Sequence, residues 1–255
     1  MKKLSKPGFW LARSFTASLG ICSLAWVIYS LPVFRAEVML SDTVQTILSG
    51  ESYNATQLDW LERRLDAIPP QTLRSTALND VAVIRLKLTE SKLVAHDPQI
   101  ASDLSNLNTA VTAALEGTPS SSFLWLIKYW IQQERGGAAD DGLKLLRMSY
   151  SLGPNESWIA IRRLPLALRV FSSLPPDIAD QTLSEFAGLV RSHFYQEAAD
   201  IVAGPGWAVH EKLLGRLAEL KKSYRNQFAQ VLASKDLEGA SVPGADVGER
   251  RSRPF

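Results

Sequence analysis

The sequence predicts an all-α protein in which one apolar N-terminal helix is followed by an array of short amphipathic helices. Three observations support this prediction. Residues 14–34 form a run without charge, SFTASLGICSLAWVIYSLPVF. Beyond this run, apolar residues recur at the helical spacings of three and four positions. The breaks between these segments are short and rich in glycine and proline, which favours antiparallel packing of neighbouring helices.

The charge of the chain is small and unevenly placed. The 255 residues carry a net charge of +2, and 46% of them are hydrophobic, which suits one globular domain with an appendage. Four of the 28 basic residues lie within the first 13 positions, so 24 remain against 26 acidic residues. This composition predicts no basic face, and we therefore expect no nucleic-acid partner. Cys22 is the single cysteine, which excludes an internal disulfide.

The uncharged run 14–34 has the length of a transmembrane helix, which needs about 20 apolar residues. Pro32 predicts the end of this helix. Because the basic residues precede the run, the positive-inside rule places residues 1–13 in the cytoplasm and the rest of the chain outside. The alternatives are a cleaved signal peptide and a buried core helix. The first of these lacks the small residues of an Ala-x-Ala cleavage site.

The apolar pattern predicts further helices as far as about residue 232. They cover approximately residues 58–68, 73–88, 97–115, 123–133, 140–150, 155–171, 178–194 and 207–232. Asp97 and Pro98 mark one start, as a capping residue followed by proline in the first helical position. From Gly239 onward the chain has little apolar content and no periodicity, so we predict a disordered tail over residues 239–255.

The stretch SYSLGPNESWIAIRR, residues 149–163, brings one helix to an end and starts the next at once. Pro154 cannot continue a helix, and Asn155 is suited to cap the following one. A similar phrase, ALEGTPSSSFLW, places Pro119 35 residues before Pro154. A helix pair of about 34 residues that ends in proline is typical of the tetratricopeptide repeat (TPR). The sequence therefore favours a TPR-like helical array, an α-solenoid, over residues 35–238, with a compact helical bundle as the alternative.

The residues around this repeat also carry a family resemblance. The segments AALEGTPSSSFLWL and GLKLLRMSYSLGPNESWIAIRRLPLAL, within residues 110–172, resemble a repeat of small membrane-anchored accessory proteins of bacterial exopolysaccharide synthesis and export systems. The resemblance implies an inner-membrane protein with one anchor and a periplasmic TPR-like domain. It further implies a scaffold or assembly role among protein components of the polysaccharide machinery, and it carries no catalytic residues with it.

Motifs of catalysis and cofactor binding are not found in the sequence. His96, His193 and His210 lack a second ligand at metal-binding spacing, and neither a nucleophile elbow nor a phosphate-binding glycine loop occurs. Asp140 and Asp141 are explained as first-turn acids of a helix. We therefore expect a protein that is not an enzyme and has no cofactor or metal. A scaffold of another envelope complex, such as a secretion system, and a polysaccharide-modifying enzyme remain the alternatives.

Four residues are candidates for binding a partner. Trp125 and Tyr129 lie in a helix that is apolar nearly all round, and Arg162 and Arg163 lie in the helix after the Gly-Pro corner. In a TPR-like array these helices would line the concave groove, and aromatic residues and arginine often dominate binding there. The alternatives are a buried position for the aromatic helix and solvated or ion-paired arginines.

Overall fold

The computed structural model describes residues 6–49, 53–69, 73–136, 139–235 and 237–246. Within these ranges the regular structure is helical and no strand occurs, which confirms the all-α prediction. The chain divides into two compact units, Met1–Thr118 and Pro119–Phe255. Residues 1–5 of the basic N-terminus and residues 247–255 of the predicted tail lie outside the described residues.

Unit 1 begins with a helix that is much longer than expected. Its helices are α1 (Lys6–Leu48), α2 (Ala55–Asp66), α3 (Ser75–Val94) and α4 (Ile100–Gly117). The prediction that the first helix ends at Pro32 is wrong, because α1 continues 16 residues further. The continuation has a packing face of its own, on which Leu40 is fully buried. Tertiary packing of this kind offsets the hydrogen bond that a proline removes from a helix.

The two halves of α1 have different surroundings. Side chains 13–29 are all exposed, although most of them are apolar. This helix is long and apolar enough to cross a membrane. After Phe34 the helix joins a core made of apolar residues from α1, α2 and α3. The buried members of this core are Leu40, Leu61, Leu65, Ala77, Ile84 and Leu88.

Polar contacts fix the ends of the helices in unit 1. Asn54 and Gln57 form a reciprocal capping box at the start of α2. Lys92 Nζ donates to Glu62 at 2.8 Å and to Asp103 at 2.9 Å, which links α3 to α2 and α4. Asp97 does not cap α4 as predicted. Its carboxylate accepts from the Gln99 amide at 2.8 Å, in the turn before the helix.

Unit 2 is a succession of shorter helices. They are α5 (Ser122–Glu134), α6 (Ala139–Leu152), α7 (Ser157–Arg169), α8 (Pro176–Arg191), α9 (Tyr195–Ala203), α10 (His210–Arg216) and α11 (Lys222–Ala233). The pair α5 and α6 is antiparallel, since Gly153 after α6 lies against Ser122 at the start of α5. Helix α7 packs on α5 and α8, and α9 packs on α7, α8 and α11.

The single long helix predicted for residues 207–232 is wrong. The chain instead forms a 3-10 turn at Trp207–Val209, α10, a second turn at Leu217–Glu219 and then α11. Extended backbone at Leu220 and Lys221 separates α10 from α11. Leu217 and Phe228, on either side of this change of direction, are both buried in the core of unit 2.

The first part of the predicted tail is ordered. Val242 is only 7% exposed and belongs to the core of unit 2. The Arg225 guanidinium donates to the Pro243 carbonyl at 2.7 Å, and Lys222 pairs with Asp246 at 2.6 Å. Residues 239–246 therefore pack along α11, because one apolar anchor and two basic partners offset the entropy lost on ordering them.

Candidate functional site

Unit 2 has an open groove of 590 Å³. Its walls come from the start of α7, the outer face of α8 and the turn after α10. Asn155 and Ser157 line one side, and Gln181 and Arg191 line another. Hydroxyl, amide and guanidinium groups of this kind bind polar segments through hydrogen bonds and ion pairs. The groove is therefore suited to recognition of a polar partner.

The two arginines that line the groove, Arg191 and Arg216, differ in their hydrogen bonds and ion pairs. Arg216 donates to Ser184 Oγ at 2.7 Å and lies 3.3 Å from both Asp180 and Glu219. Arg191 is exposed at the end of α8, and no ion pair to it is found among the described residues. Its position also complements the negative end of the helix dipole. Arg191 is thus the groove cation best placed to meet an acidic group of a partner.

The floor of the groove rests on a buried ion pair between Arg163 and Glu185. The Arg163 side chain is fully buried, and that of Glu185 is 4% exposed. Arg163 Nε lies 3.1 Å from Glu185 Oε1, and Nη2 donates to the same oxygen. An uncompensated charge at this depth would be very costly, so the pair has to be complete for the helices to pack.

The other donors of Arg163 are all directed at acceptors. Nη1 donates to the Ser149 carbonyl at 2.7 Å and lies within hydrogen-bond distance of Ser149 Oγ and Ser122 Oγ. Nη2 also donates to the Gly153 carbonyl at 2.8 Å. With the bonds to Glu185, every N–H of the guanidinium is used. One side chain thereby joins α5, α6, α7 and α8.

Tyr150 completes this buried cluster. Its ring lies under the guanidinium, with Arg163 Cζ 4.2 Å from the ring centroid. Its hydroxyl lies 3.0 Å from Thr182 Oγ1. Burial raises the pKa of Tyr150 well above its ordinary value. Burial also raises the pKa of Glu185, although the hydrogen bonds from Arg163 oppose that change. The cluster is therefore a fixed structural floor and offers no free donor to a ligand.

The Gly-Pro corner that the sequence singled out is part of this floor. An added Cβ at Gly153 would lie 2.7 Å from the Ser122 side chain, so only glycine fits at this approach. Asn155 does not cap α7 as predicted. The capping position belongs to Glu156, whose side chain makes no capping bond, and Asn155 faces the groove instead. The corner thus both closes the α6–α7 turn and supplies a groove wall.

The four predicted binding residues are not brought together on one open surface. Tyr129 and Arg163 are fully buried, so the expectation that they face a groove is corrected to a role in packing. Trp125 is half-buried, and its indole N–H donates to the Pro119 carbonyl at 2.8 Å. Arg162 is exposed. Adjacent residues on a helix point about 100° apart, which explains the contrast between Arg162 and Arg163.

Glu185 is the important residue that the sequence reasoning missed. The residues of α8 that are buried include Ile178, Thr182, Glu185 and Leu189. They are spaced by four, three and four positions, so Glu185 lies on the apolar stripe of its helix. A glutamate at such a position indicates a buried partner of opposite charge. This signal was available in the sequence, although it does not reveal which basic residue is the partner.

The three histidines lie at or near helix ends and have structural roles there. His96 and His193 adopt positive φ angles of 54° and 67° at the ends of α3 and α8. His210 stacks on the Trp207 ring at 4.3 Å. Among the residues that the structure describes, no group of three His, Cys, Asp or Glu side chains is arranged to hold a metal ion.

Comparison with family models, curated proteins and solved structures finds no match to this chain.

Proposed function

We propose that this protein is a membrane-anchored, non-enzymatic scaffold or assembly factor for bacterial polysaccharide synthesis or export, and that it binds a protein partner in the groove of unit 2. The observation that carries this proposal is the groove itself. It is open and lined by both polar and apolar groups, and its floor is held rigid by a completed hydrogen-bond network. A rigid surface of this kind loses little entropy when a partner binds.

We also propose that unit 2 is a TPR-like array. Two features support this. Pro119 and Pro154 each stand three residues before the first residue of a helix, α5 and α7 respectively. In addition, α5 packs on α7, and α7 packs on α9, so alternate helices lie side by side. Repeats stacked in this way build extended binding surfaces.

In this proposal, the cellular location of the protein is inferred from helix α1. Its exposed apolar segment would span the bacterial inner membrane once, with residues 1–13 in the cytoplasm and the helical domain in the periplasm. The assignment to polysaccharide assembly is supported by the resemblance of residues 110–172 to accessory proteins of those systems. Protein components of that machinery would be the partners of the groove.

Gly188 allows the groove to be filled without disturbing the floor. This glycine lies on the groove wall in the last turn of α8, and an added Cβ would meet no atom within 4 Å. We expect Gly188→Leu to lower polymer output in the producing strain, because the larger side chain occupies the space of the partner. Gly188→Ala is the matched control and should leave output unchanged.

Both variants must be present at normal abundance in the membrane fraction for this comparison. Normal polymer output by Gly188→Leu would show that the partner does not bind in this groove. Normal polymer output by a strain that lacks the whole protein would contradict a role in polysaccharide assembly and favour a role in another envelope complex.

A further inference from the structure

Unit 1 has a second groove, beside the part of α1 that leaves the apolar run. Its volume is 420 Å³, and it lies between α1 and the first half of α2. Arg35, Val38 and Asp42 line it from α1, and Tyr53 and Trp60 line it from the opposite side. The Tyr53 hydroxyl lies 3.5 Å from the Thr43 carbonyl.

The groove exposes an apolar and basic combination of side chains. Trp60 is 51% exposed and Val38 is 59% exposed. Arg64 Cζ lies 5.7 Å from the centroid of the Trp60 ring, and Arg35 is exposed next to Val38. Large apolar groups in water are unfavourable, whereas tryptophan with neighbouring arginine is typical of membrane–water interfaces.

The position of this groove along α1 is fixed by the continuous helix. Arg35 directly follows Phe34, the last residue of the uncharged run. At a rise of about 1.5 Å per residue, Val38 stands about 6 Å beyond Phe34 and Asp42 about 12 Å beyond it. If residues 14–34 span the bilayer, the end of the groove that holds Arg35 lies at the depth of the lipid phosphates, and the acidic end points away from them.

We propose that this groove binds the headgroup phosphate of a bilayer phospholipid. Arg35, which lines the groove, and Arg64, which lies over the Trp60 ring, meet the phosphate, and the Trp60 ring lies beside them in the headgroup region. This inference rests on the proposed membrane anchor, because without it the groove would face water. It adds a second membrane contact that holds unit 1 against the surface of the bilayer.

Spin labels can test the depth of the groove in the full chain. On a Cys22→Ser background, single cysteines are placed at Trp60, at Leu24 in the apolar run, and at Val94, which is 80% exposed and does not line the groove. The labelled proteins are reconstituted in nanodiscs that contain phosphatidylglycerol. We expect the label at position 60 to report the headgroup region by its accessibility to oxygen and to a nickel chelate.

The two control labels separate the possible failures. A label at position 24 that is accessible to the water-soluble chelate would overturn the anchor, and the lipid site with it. If position 24 is embedded while position 60 is as accessible to the chelate as position 94, the anchor holds and the lipid site is wrong.

The role of the two arginines can be tested separately. The double variant Arg35→Gln, Arg64→Gln should lose a phospholipid that the unaltered chain retains in detergent, as counted by native mass spectrometry with added phosphatidylglycerol. Arg63→Gln is the matched control, since Arg63 is an exposed neighbour of Arg64 for which no contact with the Trp60 ring is found among the described residues. Equal retention of lipid by the double variant and the control would overturn the role of the two arginines.

Discussion

Arg162 and Arg163 are adjacent in the sequence and have opposite surroundings. Arg162 is exposed, whereas Arg163 is fully buried and bonded to groups from α5, α6 and α8. The sequence shows two arginines on an amphipathic helix, and neither is marked as internal. A mutation that alters both at once would confuse a surface effect with a loss of the fold.

Separate substitutions of the two arginines should therefore differ widely. Arg163→Met leaves Glu185 buried without a partner, and we expect it to lower the free energy of unfolding by about 3–5 kcal/mol. Arg162→Met should change it by less than about 1 kcal/mol, as exposed charges usually do. Thermal unfolding followed by circular dichroism measures both, and equal melting temperatures would contradict the buried ion pair.

The coupling of Arg163 and Glu185 can be measured directly. Arg163→Met combined with Glu185→Leu removes both charges, so neither is left unpaired in the core. We expect the double variant to be more stable than either single variant, because apolar groups of similar volume often replace a buried ion pair at little cost. Destabilisation equal to the sum of the two single effects would show that the residues act independently.

At the scale of helices, the sequence predicts most of the helices. It does not predict the helix ends and breaks that depend on tertiary packing. The apolar stripes of the helices predicted at α2, α3 and α4 supply buried residues of unit 1. The extension of α1 past Pro32 could not be predicted, since it depends on the burial of Leu40 against distant helices. The sequence did not predict the break at Leu220, because apolar residues recur at helical spacing both before and after this residue.

Two glycines of unit 2 test the backbone assignment. Gly136 ends α5 with a φ of 64°, whereas Gly188 lies inside α8. Gly136→Ala should lower the free energy of unfolding by about 1–2 kcal/mol, because a Cβ is strained in the left-handed region. Gly188→Ala should raise it by about 0.5–1 kcal/mol, since glycine is unfavourable inside a helix. Thermal unfolding of both variants checks this, and a shift in the same direction would contradict the assigned backbone.

For the whole molecule, the sequence predicted the class of fold and the apolar N-terminal helix, and it missed the groove. The groove of unit 2 combines Asn155, Gln181 and Arg216, which lie on three elements far apart in the chain. No local pattern relates such residues. The floor was partly foreseeable, because the Gly-Pro corner and Arg163 both stood out in the sequence, although with other roles.

The orientation of the whole chain in the membrane gives a further prediction. A reporter that is active only outside the cytoplasm should be active when fused to the C-terminus, because the basic residues precede the apolar run. A C-terminal fusion also leaves α1 intact, which a fusion near residue 40 would not. Activity of a cytoplasm-only reporter at the same position would reverse the proposed orientation.

The most direct test of the central claim is photo-crosslinking in living cells from Gln181, an exposed residue of the unit 2 groove. A photoreactive amino acid at this position should form an adduct with a protein of the polysaccharide synthesis or export machinery. The same probe at Glu211, which is exposed and does not line the groove, should not form it. Gly188→Leu should abolish the adduct from position 181. An adduct that forms equally from both positions, or that survives in the Gly188→Leu variant, would contradict partner binding in this groove.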